Sequence, residues 1–267
     1  MHRYSMFDNR LTERGAAGIS ALSGAALYGR GVFTTVAIRG GVPFLWEKHW
    51  RRLNADAAKL GIGLSAHPEP TVSDALAKLI DANEIISGRA RITFFDESPT
   101  ALWPFDAPKK TSILITTADV RKAFESVRVG VSPFAANTRS PLSGVKSCNY
   151  LEKVLALEEA KARGLEEAVV LNEDANLTSG CAANLFWSEG GKLFTPALST
   201  GCLAGTTREF AIETFECAEG VCGIDVLRGA DQIYLTSAGI GVTAVADFDG
   251  RKLARAYHPI LDLIPHA

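Results

Sequence analysis

The sequence predicts an α+β protein of two domains. Strand-like runs rich in β-branched residues and helical runs with apolar residues three and four positions apart recur along the 267 residues, without strict alternation. Around Ala118–Glu125 the strand pattern is lost, so we place a domain connection there. We expect a smaller N-terminal α/β domain over residues 1–118 and a larger C-terminal domain, which carries Lys146, over residues 119–267.

The N-terminal half contains the clearest local patterns. Val32–Ile38 is β-branched and bounded by glycines, and the Gly-Gly-Val-Pro that follows indicates a hairpin into a second strand. Glu47–Ile62 carries an apolar stripe at helical spacing and is predicted to be a helix. The other elements expected in this half are a helix over Thr71–Ala82 and strands over Ala90–Phe95 and Ser112–Thr117.

The C-terminal half is predicted to mix strands with two helices. A long amphipathic helix begins near Lys146 and ends at Gly164, a residue type that commonly stops helices. A second helix spans Gly205–Phe215. The predicted strands are Val127–Val131, Glu167–Asn172, Ala182–Trp187 paired with Gly191–Pro196, and Asp231–Ser237.

Composition and charge argue against several classes of function. The formal net charge is −2 and no long run of one sign occurs, so we expect no nucleic-acid partner. No apolar run reaches about 18 residues and the first residues are polar, so we expect neither a membrane span nor a secretory signal. The 5 cysteines are scattered and never spaced as CxxC, which favours reduced thiols in a cytoplasmic protein and no metal site.

Lys146 has an electrostatically unfavourable place in the predicted structure. The N-terminus of a helix carries partial positive charge and favours anions. The residues just before Lys146 are turn-formers, so the lysine would stand where that helix begins. It is therefore either simply exposed or held there for chemistry.

Three other features are compatible with an anion site. Gly201–Glu209 places two glycines and two threonines before a helix, where backbone N–H groups bind anions, although the same pattern also serves as a plain helix cap. Tyr234–Val242 is a strand that runs into a turn of small residues, which would allow close approach of the backbone. Arg52 projects from the first helix, where an arginine with no function is the simpler interpretation.

Four blocks in order along the chain resemble the class IV aminotransferase-like proteins of fold type IV, which use pyridoxal 5′-phosphate (PLP). The blocks are YGRGVFTTVAIRGGVPFLWEKHWRRLNADAAKLGI (Tyr28–Ile62), GVKSCNYLEKVLALEEAKARGLEEAVVLN (Gly144–Asn172), LTSGCAANLFW (Leu177–Trp187) and GCLAGTTR (Gly201–Arg208). Each block alone is a weak signal, but four at family-like spacings are specific.

The resemblance implies roles for individual residues. Lys146 would form the Schiff base with the cofactor, which explains a cation in that place, since its amine must become neutral to react. Arg52 and the backbone around Thr206 and Thr207 would bind the cofactor phosphate. His49 would be structural. The other implied cofactor-binding residues are Ser179, Ser237 and Ala238. The resemblance also implies a homodimer that acts on a small-molecule amine.

Two details are similar to one branch of the family, the aminodeoxychorismate lyases. These are Phe33-Thr34-Thr35, where most aminotransferases carry Phe-Glu-Thr or Tyr-Glu, and Cys-Ala-Ala-Asn-Leu-Phe-Trp over residues 181–187. Thr34 is therefore grouped with Lys146 as catalytic. The implied activity is a carbon–oxygen lyase that releases 4-aminobenzoate, a folate precursor, and pyruvate. The alternatives are an aminotransferase for D- or branched-chain amino acids and a PLP-binding relative with altered or lost activity.

The chain also departs from the family pattern. Ser179 stands where a glutamate usually lies beside the pyridine nitrogen of the cofactor, and Arg30 replaces the aspartate of Gly-Asp-Gly. A serine would give a weaker electron sink, which an elimination assisted by aromatisation tolerates better than transamination does. The groups that bind a substrate carboxylate stay open, because they lie in loops such as Phe134–Leu142. The candidates are Arg30, Arg91 and Arg139.

Overall fold

The computed structural model describes residues 1–99, 109–121, 127–254 and 257–264. These residues form two compact units. The first unit takes the described residues up to Arg121 together with Val145–Tyr150, and the second takes residues 127–144 and those from Leu151 onward. The predicted connection around Ala118–Glu125 lies partly outside the described residues. The prediction placed Lys146 in the C-terminal domain, whereas the structure groups its segment with the first unit.

The first unit is built on a six-stranded sheet in which all neighbouring strands are antiparallel. The strand order is β2-β1-β6-β5-β3-β4. The strands are β1 Tyr4–Phe7, β2 Arg10–Glu13, β3 Gly31–Arg39, β4 Val42–Pro43, β5 Gly88–Asp96 and β6 Thr111–Ala118. The helices are α1 Gly24–Tyr28, α2 Trp46–Lys59 and α3 Glu69–Ala82. The predicted hairpin, helices and central strands are confirmed, whereas β1 and β2 were not predicted.

Helices α2 and α3 supply the apolar side chains that cover this sheet. Leu53 on α2 and Leu76 and Leu79 on α3 are buried with Ile92 and Phe94 of β5 in one core. The three- and four-residue spacings of the helical residues put them on one face of each helix, which is why the sequence pattern located both helices to within two or three residues. Alongside this apolar stripe, α2 also carries the polar side chains of the candidate functional site described below.

The second unit is built on a nine-stranded mixed sheet. Its order is β12-β11-β10-β13-β14-β7-β8-β9, with β15 paired to β14. The strands are β7 Val127–Val131, β8 Glu167–Leu171, β9 Leu177–Gly180, β10 Asn184–Glu189, β11 Lys192–Pro196, β12 Cys217–Gly220, β13 Gln232–Ser237, β14 Gly241–Phe248 and β15 Arg251–Lys252. The helices are α4 Leu151–Ala162, α5 Thr206–Thr214 and α6 Asp225–Gly229, with 3₁₀ turns at Leu198–Thr200 and Pro259–Asp262.

The predicted strands of this unit are confirmed, including the antiparallel pairing of β10 with β11. Trp187, Leu185 and Ile233 lie in its main core together with Phe248. The strands that were not predicted are β9, β12, β14 and β15. They are short, or they carry a mixed polar pattern that gives no clear alternation, so packing against their neighbours decides their structure.

The predicted start of the helix near Lys146 is wrong. Helix α4 begins at Leu151, five residues later, and Lys146 itself lies outside any helix. The reason is pairing with a strand from the other end of the sequence. The amide of Cys148 donates to the carbonyl of Gly31, which holds this segment extended against β3. The unfavourable contact of a cation with a helix N-terminus therefore does not arise. Helix α4 ends at Ala162, and Gly164 follows with a φ of 76°.

Candidate functional site

Lys146 lies on a short extended segment that pairs with the edge of β3. The amide of Phe33 donates to the carbonyl of Lys146 at 3.0 Å, and the amide of Cys148 donates to the carbonyl of Gly31 at 2.8 Å. Strand β4 is too short to cover this part of the edge, since it pairs only with Ile38 and Arg39. A Cβ added to Gly31 would lie 2.9 Å from the Cys148 sulfur, so glycine permits the close approach.

Helix α2 presents three polar side chains toward the same region of the first unit. His49, Arg52 and Asp56 are three and seven residues apart, a spacing that puts them on one face of a helix. The Arg52 Nη2 donates to the Thr34 Oγ1 of β3 at 2.7 Å, and that oxygen lies 2.6 Å from the His49 Nδ1. The Asp56 Oδ2 accepts from the backbone amide of Lys146 at 3.1 Å.

The protonation of His49 follows from its surroundings. Burial, with smaller effects from the cations Arg52 and Lys146, lowers the pKa of His49 to about 3. The imidazole is therefore neutral in ordinary buffers. Arg52 donates to the Thr34 Oγ1, and the hydroxyl keeps its hydrogen and a second lone pair, so it can pair with His49 Nδ1 as donor or as acceptor. A chain of hydrogen bonds thus runs from Arg52 through Thr34 to His49.

Aromatic rings surround the amine of Lys146. Its Nζ lies 4.7 Å from the ring centroid of Phe33 and 5.2 Å from that of Tyr150, and the two rings meet edge to face at 5.4 Å. The guanidinium of Arg91 lies 3.6 Å from the Phe33 centroid. These distances are those of cation–π contacts. Phe33 thus lies against two cations.

The three candidate arginines for a substrate carboxylate have different settings. Arg91 belongs to the first unit, where burial lowers its pKa and Cys148 acts in the opposite direction. Arg30 forms an ion pair with Asp96 at 3.0 Å and is thereby engaged in the fold. Arg139 lies in the second unit, where its backbone amide donates to the side chain of Asn137. Arg91 alone of these is placed beside the aromatic residues near Lys146.

In the second unit, the start of α5 has the geometry of an anion site. Its cap is Gly205, and no side chain caps the helix. Thr206 and Thr207 of the first turn are buried, and the Thr207 Oγ1 has no hydrogen-bond partner within the described residues. A Cβ on Gly205 would lie 1.9 Å from the Asn184 Oδ1, so only glycine fits beside that side chain.

Asn184 connects this turn to the end of β13. Its Nδ2 donates to the carbonyl of Leu203 at 2.8 Å, and across the sheet it pairs with Thr236. Thr236 precedes Ser237, the last residue of β13, and Ala238 opens the following turn. The two predicted phosphate-binding stretches of this unit are therefore linked through one asparagine, by its side chain to Leu203 and by strand pairing to Thr236. Sequence reasoning did not identify this residue.

Ser179 lies buried on β9, opposite Val170 of β8. The acid Glu167 of β8 is also buried, and its carboxylate accepts from the backbone amides of Cys181 at 2.8 Å and Ala182 at 3.0 Å. Glu167 therefore fixes the turn that directly follows Ser179. Glu167 was not predicted, because the sequence at the start of a strand does not show which loop a side chain there will contact.

A second lysine was also missed by sequence reasoning. Lys153 lies on α4, and burial lowers its pKa, although the nearby acids and thiols act in the opposite direction. A partly buried amine with a lowered pKa is a candidate for reactivity. Lys146 and Lys153 belong to different units.

The described residues contain no group of three or more His, Cys, Asp or Glu side chains placed to hold a metal ion. Among the described helices, none combines the length and apolar character needed to cross a membrane.

Comparisons with known proteins agree on the type of fold. The sequence pattern of the amino-transferase class IV family matches residues 31–248. An aminodeoxychorismate lyase of Bacillus subtilis (strain 168) is 28% identical over 86% of this chain and 82% of its own length, and a D-alanine aminotransferase of Bacillus licheniformis is 25% identical over 93% and 89%. A branched-chain aminotransferase structure from Thermoproteus uzoniensis superposes with a TM-score of 0.90 at 25% identity, covering 96% of this chain and 91% of that one.

Proposed function

This chain belongs to the amino-transferase class IV family, and we propose that within this family it is a 4-amino-4-deoxychorismate lyase. The reaction would convert 4-amino-4-deoxychorismate into 4-aminobenzoate and pyruvate, a step of folate precursor synthesis. The support comes from Phe33-Thr34-Thr35, from residues 181–187, and from the similarity to the lyase of Bacillus subtilis.

Enzymes of this family use PLP, and PLP is the cofactor of this chain. The residues present fit its phosphate. The Thr207 hydroxyl is buried with no partner among the described residues, at the uncapped start of a helix whose dipole favours an anion. When bound, PLP supplies an aldehyde that joins amines and a ring that accepts electrons from the adjacent carbon.

We assign the remaining contacts to this chain's own side chains. In the first unit, Lys146 would hold the cofactor covalently and Arg52 would bind its phosphate. In the second unit, the start of α5 is the segment assigned to phosphate binding. Ser179 would face the ring nitrogen, and Ser237 and Ala238 would lie near the phosphate. The chain of hydrogen bonds from Arg52 through Thr34 to a neutral His49 helps to fix the guanidinium.

Lys146 is also the proposed base. Its Nζ would accept the proton from the amine-bearing carbon of the substrate. Loss of the enolpyruvyl group then leaves an aromatic ring. The Nζ would return a proton as that group becomes pyruvate. The rings of Phe33 and Tyr150 lie 4.7 Å and 5.2 Å from this amine and so help to position it.

The observation that carries the lyase assignment is the setting of Ser179. The family pattern has an acid at this place, whereas here a hydroxyl occupies it. Glu167, the buried acid of the adjacent strand, accepts from the backbone of the following turn and is thereby committed to it. A site without a carboxylate at the ring nitrogen would stabilise a carbanion less, which suits an elimination assisted by aromatisation.

Two other functions remain as alternatives. The similarity to a D-alanine aminotransferase and to a branched-chain aminotransferase supports an enzyme that transfers an amino group from such amino acids. The missing acid at residue 179 supports a PLP-binding relative with altered or lost activity. The three candidates differ in products, so one set of assays separates them.

The test uses the purified, PLP-loaded protein with 4-amino-4-deoxychorismate. We expect 4-aminobenzoate and pyruvate in equal amounts, and no product from a Lys146→Ala control. Parallel reactions with D-alanine or L-leucine and 2-oxoglutarate measure amino transfer. A new amino acid without 4-aminobenzoate would establish the aminotransferase instead, and loaded protein without any turnover would establish the binding relative.

We also propose a homodimer in the cytoplasm. Helix α4 exposes Leu151, Val154 and Leu155, three apolar residues at helical spacing, which is the kind of surface that a second copy would cover. All 5 cysteines are free, in keeping with a reducing compartment. Sedimentation at micromolar concentration tests the dimer. A fully active monomer would contradict it.

A further inference from the structure

Asp56 is a buried acid that the proposed chemistry does not use. It lies on α2 between the core residues Leu53 and Ala57, and only 4% of it is exposed. A carboxylate in such a place loses its hydration, so burial raises the pKa of Asp56. The cations Arg52, Lys59 and Lys146 act in the opposite direction. A plain packing residue would avoid this loss of hydration, so the position of Asp56 needs another explanation.

The hydrogen bonding of Lys146 provides that explanation. In regular antiparallel pairing, two opposite residues exchange both backbone bonds. Here the amide of Phe33 donates to the carbonyl of Lys146, while the amide of Lys146 donates to the Asp56 Oδ2 at 3.1 Å. The backbone of this residue is therefore held from two sides, by a strand edge through its carbonyl and by a helix through its amide.

We propose that Asp56 is a positioning residue for Lys146: its carboxylate holds the backbone amide of residue 146 and so fixes the point from which the lysine side chain extends. A charged acceptor makes a stronger hydrogen bond than a neutral one. The bond ties the lysine segment to the same helix that carries Arg52 and His49, four and seven residues from Asp56. Asp56 itself need touch neither cofactor nor substrate.

The proposal rests on the assignment of Lys146 as the cofactor lysine, but its first test does not. Hydrogen exchange at the Lys146 amide is measured in the apoprotein by mass spectrometry with fragmentation. Wild-type protein should protect this amide, and Asp56→Ala should lose about tenfold to a hundredfold of that protection, as expected for a lost bond to a charged acceptor. Asp56→Asn keeps an oxygen in place and should retain most of it.

The second test follows the rate at which apoprotein captures added PLP, from the absorbance of the lysine-bound cofactor. Asp56→Ala should slow capture by about tenfold, and Asp56→Asn should restore most of the rate. Asn54→Ala serves as the matched control, because Asn54 is exposed on the same helix and bonds to the carbonyl of Trp50. Capture by a different lysine would refute the role of Lys146, while the exchange experiment would still decide the role of Asp56.

Three outcomes would overturn the proposal. The first is a Lys146 amide that exchanges in wild-type apoprotein as fast as an exposed chain. The second is an Asp56→Ala protein that matches Asn54→Ala in both exchange and capture. The third is an Asp56→Asn protein as impaired as Asp56→Ala. If Asp56→Ala does not fold, the wild-type protection and the Asp56→Asn variant decide.

Discussion

Replacing Thr34 with valine removes one oxygen from the centre of the first unit with little change of shape. That oxygen accepts from Arg52 at 2.7 Å and bonds to His49 at 2.6 Å. Thr34 is fully buried and His49 nearly so, so water cannot readily replace the lost partner. The substitution therefore strands a buried ring nitrogen and releases the guanidinium from its position.

The cost follows from these two losses. A buried polar atom left without its partner costs about 1–3 kcal/mol, and the bond from the half-buried Arg52 adds about 1 kcal/mol. The sum is about 2–4 kcal/mol, which for a chain of this size lowers Tm by roughly 4–16 °C. PLP affinity should fall as well, because Arg52 would be less well oriented toward the phosphate.

The assay is calorimetry and urea unfolding of the apoprotein, followed by PLP titration. Thr35→Val is the matched control, since Thr35 is the next residue on β3 and its side chain makes no hydrogen bond among the described residues. Its stability should change by less than about 0.5 kcal/mol. Thr34→Ser should recover most of the loss. Equal stability and equal PLP affinity of Thr34→Val and Thr35→Val would refute the hydrogen-bonded chain.

The remaining predictions concern charge and cofactor binding. His49 has its pKa lowered from 6.5 to about 3, so its contribution to stability is fully present above pH 6.5 and is lost as the pH falls, at about 1.4 kcal/mol per pH unit. His49→Asn should remove this dependence of the unfolding free energy on pH between pH 6.5 and 4.5, as measured by urea unfolding. An unchanged dependence would show that burial does not lower the pKa of the imidazole. Arg52→Ala should weaken PLP binding about tenfold or more, while PLP at saturating concentration should still attach to the protein. An unchanged affinity for PLP would show that Arg52 does not bind the phosphate. Ser179→Glu should raise amino transfer from a low level and change lyase activity less, provided folding is intact. A well-folded, PLP-loaded Ser179→Glu protein with unchanged transfer would count against the assignment of Ser179.

The fold was predictable where local pattern and packing agree. Helix α2 was located from its apolar stripe because the residues that form the stripe also form the core. The start of α4 was not, because the residues before Leu151 pair with β3, a strand more than a hundred positions away. A single sequence carries no local signal for such a contact.

The residues of the candidate site divide in the same way, into those that a local sequence pattern indicates and those that depend on a distant contact. Lys146, Arg52 and Thr34 were selected because they stand in recognisable blocks, and their roles stay predictions; the structure brings these three together with His49 in the first unit. Asp56 was missed because an acid at a helical core position resembles an ordinary surface residue until its partner is known. Asn184 and Glu167 were missed for the same reason, since each acts on the backbone of a distant loop.

The most direct test of the account is the identity of the lysine that carries the cofactor. Purified protein loaded with PLP is reduced with sodium borohydride and digested, and the labelled peptide is sequenced by mass spectrometry. We predict the label on Lys146, and no labelled peptide after Lys146→Ala. A label on Lys153, the partly buried lysine of α4, would contradict it, as would a yellow colour of Lys146→Ala that survives dialysis and is bleached by borohydride.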